Sequence, residues 1–182
     1  MKTIVIFILS SIFIQVYAPP SHQQNEINVY SIYLADYKSQ QYTQFRNAIA
    51  HKESRMNAEI YNKQGYIGMY QFGMSARKAT GYGHIKTKSF IKDPGIWPKE
   101  DQCKAMDSLI SRNQYRLTEI IEDAPYQFKG LNITKSGILA AAHLSGYCNV
   151  KEYFKTNRVY NPADKNGTSL EDYLIAYSGF EF

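Results

Sequence analysis

The sequence predicts a mainly α fold: one compact helical domain with long functional loops between its helices. Three observations predict it. Apolar residues recur at helical spacing in several segments, most clearly over 99–122 and 135–146. Capping residues or prolines open those segments, and Gly or Ala-Pro closes them. No run of useful length alternates apolar and polar residues, as a half-buried strand would. With 182 residues the chain is long enough to enclose one core.

Taken in order, Lys2 precedes an apolar run from Ile4 to Ala18. That run falls short of the roughly 20 residues a membrane span needs and fits a signal peptide over 1–18. Val16-Tyr17-Ala18 has the small-residue spacing of a cleavage site, although Pro19 is a poor neighbour for cleavage and an uncleaved anchor is the alternative. Either way the remainder is expected to be exported, to a periplasm or beyond the cell. Residues 19–41 read as an N-terminal tail or linker, with a weakly helical pattern at Ile32, Tyr33, Leu34 and Tyr37. The domain is expected over 42–182.

Within it, Thr43 is placed to cap a helix reaching Ser54, with Phe45, Ala48 and Ile49 as its apolar stripe. A short helix over 74–79 is stopped by Gly81 and Gly83, and 84–94 reads as a loop. Pro98 suits the first turn of a long helix to about Glu122, faced by Cys103, Met106, Ile110, Leu117, Ile120 and Ile121. Thr134 caps the next helix. Its Ile138, Leu139, Ala140, Ala141, Ala142 and Leu144 make it apolar nearly all round, so it should be the central buried element. Asn149 with Glu152, and Ser169 with Asp172, look like capping pairs for two final helices.

Composition narrows the function classes. A formal charge of +5 is spread over scattered lysines, which forms no nucleic-acid stripe but would help approach to an anionic cell wall. A basic domain with no polyanionic partner fits the charge equally. Sixteen tyrosines suit carbohydrate clefts and protein interfaces alike. The two cysteines, Cys103 and Cys148, would form one disulfide in an oxidising compartment; two buried thiols are the alternative. With His143 they fall short of the four ligands of a structural zinc site. No Gly-x-Ser-x-Gly elbow and no phosphate-cradling glycine loop is present, and no histidine is spaced to activate a nucleophile. No metal or cofactor is expected.

The stretch His51–Gly73 carries the chemistry. Glu53 lies one turn past Ile49, near the buried stripe and at a helix C-terminus. Ionisation there is opposed by partial desolvation and by the negative end of the helix dipole, so the protonated form of a general acid is favoured. Ser54 adjoins it. A polar connector leads to Gly65-Tyr66-Ile67-Gly68-Met69-Tyr70-Gln71-Phe72-Gly73, which sets an amide beside flat rings and flexible backbone. Glu59, on the connector, is either a second carboxylate for an inverting hydrolase or a solvated surface group.

Glu53-Ser54 followed by Gly68-Met69-Tyr70-Gln71 resembles the lytic transglycosylases and goose-type lysozymes, whose Glu-Ser pair at a helix end precedes a Gly-x-x-Gln run. Ala142-His143-Leu144-Ser145-Gly146 corresponds to their later Ala-Tyr-Asn-x-Gly motif, with His143 and Leu144 departing from it. The resemblance spans roughly 42–153 and implies a lysozyme-like fold acting on peptidoglycan glycan strands. It implies Glu53 as the single catalytic carboxyl at the β-1,4 bond between N-acetylmuramic acid and N-acetylglucosamine, yielding 1,6-anhydro ends. Ser54 and Gln71 would orient the reaction. Gly68, Met69, Tyr70 and Phe72 would form the saccharide subsites, with Tyr147 as a further cleft residue. The aromatic trio fits core packing equally, and His143 fits either the cleft or a hydrogen-bonded core. A hydrolytic muramidase or chitinase-like enzyme and an inactive wall-binding protein are the alternatives. A monomer is expected, and service to an envelope-spanning secretion or phage-related assembly is compatible.

Overall fold

The computed structural model describes residues 21–182, with side chains at Val29 and from Ser31 onward. The run 4–18 and its signal-peptide reading lie outside the described residues. The described chain is mainly helical, as a lysozyme-like helical domain requires. It divides after Asp36. The part before the division is the first portion of α1 (Ser21–Ser54), and it exposes Val29, Ile32, Tyr33 and Leu34. The second unit, Tyr37–Phe182, holds all the other elements.

Helix α1 runs unbroken through Thr43, which is therefore no cap. The reason is local: no Pro or Gly interrupts Ser21–Ser54, so nothing stops the helix once it has begun. Next come α2 (Met74–Ala79) and α3 (Thr87–Lys92), the latter inside the stretch read as a loop. Phe90 explains it, because its buried ring meets Trp97 edge-on and anchors a helix too short to stand alone. A single 3-10 turn, Pro94–Ile96, leads to α4 (Lys99–Arg116).

Pro98 stands at the N-cap of α4 rather than inside it. The helix ends earlier than its apolar face suggests. Leu117 breaks it, and α5 (Thr118–Ile121) follows. The Thr118 hydroxyl lies 3.2 Å from the Gln114 carbonyl and 3.0 Å from that of Tyr115, competing with the backbone ladder at the break. A hairpin that the sequence reading lacked comes next, β1 (Tyr126–Phe128) paired antiparallel with β2 (Leu131–Ile133). Its turn residues Lys129 and Gly130 both have positive φ, as a tight two-residue hairpin loop demands. Strands of three residues are too short for alternation to be visible.

Helix α6 (Lys135–Ser145) is the buried centre, and the Thr134 hydroxyl caps it by accepting from the Gly137 N–H at 3.2 Å. α7 (Tyr147–Lys155) starts before the expected Asn149 cap. Asn149 lies inside it and donates from Nδ2 to the Ser145 carbonyl at 2.8 Å. α8 (Leu170–Ala176) has the full capping box of Ser169 and Asp172. Cys103 and Cys148 are free thiols, so the expected disulfide is not formed. Cys103 Sγ lies 3.7 Å from the Tyr70 hydroxyl, whereas Cys148 is exposed on α7.

Packing of α8 on α6 decides where the site forms. Gly137 lies against the Leu174 backbone so closely that a Cβ there would collide with the Leu174 carbonyl. The close approach brings Tyr173 and Tyr177, on α8 and at its C-cap, into the core beside α1. Phe45 of α1 meets Tyr177, Phe180 and Phe182. Gly137→Ala should therefore cost about 1–3 kcal/mol of stability by forcing the helices apart. Chemical denaturation of the variant measures it, and an unchanged midpoint would refute the close-packing role.

Candidate active site

The Gly-x-x-Gln run is the turn of a small hairpin. Ile67 and Phe72 exchange backbone hydrogen bonds of 2.8 and 3.2 Å, and the Gln71 N–H donates to the Gly68 carbonyl at 3.0 Å. Gly68 has φ +77°, and a Cβ at that position would overlap the Gln102 amide. Two features of the fold thus require glycine there, a left-handed backbone and a buried side chain pressed against it.

That side chain, Gln102 of α4, is wholly buried. Its Oε1 accepts from the Met69 N–H at 2.6 Å, and its Nε2 donates to the Ala58 and Trp97 carbonyls, both at 2.8 Å. Ser54 holds the other side of the same residue. Its hydroxyl is 2.7 Å from the Met69 carbonyl and 3.0 Å from that of Ala50, and the single proton serves the shorter contact. Ser54 is buried at this junction, where it fixes the hairpin to the end of α1. Met69 and Tyr70 likewise pack in the core, at 1% exposure each, because the turn points them inward; neither lines the cleft. Gly68 sits beneath them against Gln102. Gln71 reaches the cleft, but its amide is already engaged, donating to the Gly68 carbonyl at 2.9 Å and accepting from Asn62 Nδ2 at 3.0 Å.

The cleft has a volume of about 670 Å³. One wall is the hairpin and the start of α2, with Tyr66, Gln71, Phe72 and Gly73; Thr87 adds to it. The other is α4, with Leu109, Arg112 and Asn113, and the α6–α7 junction from Ala142 to Tyr147. The tyrosine and phenylalanine rings bordering it are Tyr66, Phe72 and Tyr147, of which Phe72 is itself buried at 1% exposure. Tyr66 is exposed, and Gly73 leaves room for its ring, 3.1 Å from where a Cβ would stand.

Glu53 is half-buried at the end of α1 and is not among the residues lining the cleft. Its Oε1 accepts a 2.7 Å hydrogen bond from the Tyr173 hydroxyl. Burial first, and then the Glu53 charge, push the Tyr173 hydroxyl far above the ordinary phenol range; the same two causes push Tyr177 up to about 12. Both hydroxyls thus keep their protons at neutral pH. His143 lines the cleft, meets Phe72 edge-on, and is close enough to feel the Glu53 charge. Its Nδ1 is buried without a partner among the described residues. Burial pulls its pKa below 6.5, against the opposing pull of Glu53 and the Tyr70 backbone.

Of the expected site, the structure brings Gln71, Phe72, His143 and Tyr147 to the cleft. Glu59 is exposed on the connector, where its N–H donates to the Asn57 side chain. Sequence reasoning missed Tyr66, Arg112 and Asn113, and it missed Tyr173 and Tyr177 at Glu53. Tyr66 stood inside the glycine-aromatic run. The other four carried no local signal, since only packing brings α4 and α8 to this place.

Residues 32–96, about a third of the chain, match the family model of the transglycosylase SLT domain. The matched span includes Glu53, Ser54, Gly68 and Gln71 and ends before α4. Over that span the resemblance to lytic transglycosylases holds, and it supports peptidoglycan lytic transglycosylase-type activity in general. No curated protein and no solved structure matches the chain.

Two outcomes test this arrangement. Gln102→Leu strands the Met69 N–H and two carbonyls, and should cost at least about 3 kcal/mol at about 1–3 kcal/mol for each buried group; urea denaturation reads it. His143, with its pKa lowered by folding, takes up a proton more readily in the unfolded chain. Its contribution is complete above pH 6.5 and falls as the pH drops from there towards its folded value. The unfolding free energy of the wild type should decline over that window, and His143→Gln should flatten the decline. Parallel wild-type and variant curves would refute it.

Proposed function

We propose that the protein cleaves peptidoglycan glycan strands as a lytic transglycosylase, with Glu53 as its one catalytic carboxyl. The observation that carries the reading is the Glu53 carboxyl at the end of α1, fixed through Oε1 by Tyr173, with the cleft residue His143 near enough to feel its charge. The family match over the Glu-Ser and Gly-x-x-Gln motifs supports it.

The chemistry follows from what the site holds. Protonated Glu53 donates to the glycosidic oxygen between N-acetylmuramic acid and N-acetylglucosamine. Glu59, the candidate second carboxylate, is exposed on the connector. The oxocarbenium-like sugar is therefore best stabilised by its own N-acetyl group, as in substrate-assisted glycosidases. Glu53, now ionised, accepts the proton of the attacking hydroxyl. If the attacker is the sugar's own C6 hydroxyl, a 1,6-anhydro end results. The Tyr173 hydroxyl occupies one carboxylate oxygen throughout, so the other is the one free to shuttle the proton. An export route through the apolar run 4–18 would bring the enzyme to its wall substrate.

Digestion of purified cell walls, with the released fragments weighed, tests the reading. Anhydro-muropeptides are expected from the wild type and none from Glu53→Gln. Reducing ends would assign a hydrolase instead, and unchanged release by Glu53→Gln would sink the assignment of Glu53. Tyr173→Phe should lower kcat roughly tenfold with KM nearly unchanged, because it loosens the acid without touching the sugar.

A further inference from the structure

The cleft carries a charge pattern that cleavage chemistry does not use. Among the described residues no carboxylate lines it, while Arg112 does. Arg112 is exposed on α4, and Arg116 follows one helical turn later with its guanidinium 5.6 Å from the centroid of the cleft residue Tyr147. Neither arginine has an ion-pair partner among the described residues. Arg46 makes the contrast: it is held by Asp107 of α4 at 2.7 Å. Behind the opposite wall, fully buried Arg77 donates to the Phe72 carbonyl at 2.5 Å and to Thr87 Oγ1 at 2.9 Å, again with no carboxylate partner among the described residues. Phe72 and Thr87 both line the cleft, so this charge stands directly behind its surface.

Asn113 supplies an independent observation. It is 3% exposed and lines the cleft beside Arg112. No described residue hydrogen-bonds its side-chain amide. Its amide atoms are open to the cleft, so solvent satisfies them in the free protein and a bound ligand takes those hydrogen bonds over.

We propose that Arg112 and Asn113 form a carboxylate-binding subsite that selects acid-bearing glycan over neutral poly-N-acetylglucosamine. Arg112 offers a planar fork of N–H donors suited to two-point binding of a carboxylate, and Asn113 adds a donor and an acceptor beside it. A strand made of N-acetylglucosamine alone offers these residues no negative charge. A muramyl unit does, either through a free lactyl carboxylate or through the acids of an attached peptide. The inference rests on the peptidoglycan reading for its substrate class but not on Glu53, so binding tests it separately from cleavage.

The experiment is calorimetric titration of the full chain carrying Glu53→Gln, with and without Arg112→Gln. Three probes are used: tetra-N-acetylglucosamine, a peptide-free N-acetylglucosamine–N-acetylmuramic acid tetrasaccharide, and the same tetrasaccharide bearing stem peptides. At least one acidic probe should bind on the order of tenfold more tightly than the neutral one, with the gap narrowing as salt rises. Arg112→Gln should bring that probe to the neutral level, and Arg112→Lys should restore part of the gap. Preference for the peptide-free probe identifies the lactyl carboxylate as the ligand; preference for the peptide-bearing probe identifies the stem acids. Equal binding of all three probes would overturn the proposal, as would an equal loss for all three in Arg112→Gln. A retained preference in a wild-type chain that releases no wall fragments would overturn the cleavage reading and leave the subsite standing.

Discussion

Both polar groups of Met69 are spoken for, and the site depends on that. Gln102 takes its N–H and Ser54 takes its carbonyl. The first bond reaches across from α4 and the second from the last residue of α1, so one residue ties two helices and the hairpin into a single frame. Because Gln102 also holds the Ala58 and Trp97 carbonyls, the loops on either side of the hairpin share the same anchor. Buried hydrogen bonds of this kind gain modestly when made and cost much more when one partner is lost. That asymmetry gives the clamp its rigidity, and it leaves the chain no freedom at Gly68, where any Cβ would collide with the amide.

The frame separates positioning from contact. Ser54 and Gln71 spend their hydrogen bonds on the protein itself, so the two motifs that flank Glu53 serve to place it and to shape the hairpin. The walls of the cleft come from elsewhere: Tyr66 and Phe72 on the hairpin, Arg112 and Asn113 on α4, and Tyr147 past α6. The orientation of the acid also comes from a distant element. Tyr173 reaches Glu53 only because α8 lies close on α6 at Gly137, and α8 is held in turn by the Arg158–Glu171 pair, at 2.6 Å, beside the Tyr153 hydroxyl.

Where the sequence was legible, the signal was local. Thr134 and the Ser169–Asp172 pair cap helices as their types suggest, and the alanine-rich run 138–142 is buried as its uniform apolarity suggests. Errors arose where local signals were ambiguous or weak. Thr43 looked like a cap, but in an unbroken run of helix-compatible residues it had nothing to terminate. The hairpin at 126–133 was too short for its alternation to register. Tyr70 and Phe72, which looked alike as aromatic neighbours, are both buried at 1% exposure, and of the two Phe72 alone borders the cleft.

By itself the sequence determined the helical class, most helix boundaries, the acid at the end of α1 and the glycine-punctuated turn beside it. These follow from interactions among neighbours a few residues apart, which composition and spacing record. Only the tertiary structure decided which side chains face the cleft, that the cysteines stay apart, and that Tyr173 grips Glu53. It also set Arg112 and Asn113 opposite the hairpin. Those outcomes depend on how α4, α6 and α8 pack, and packing is set by shape and close approach between residues far apart in the chain, for which no single stretch of sequence carries a pattern.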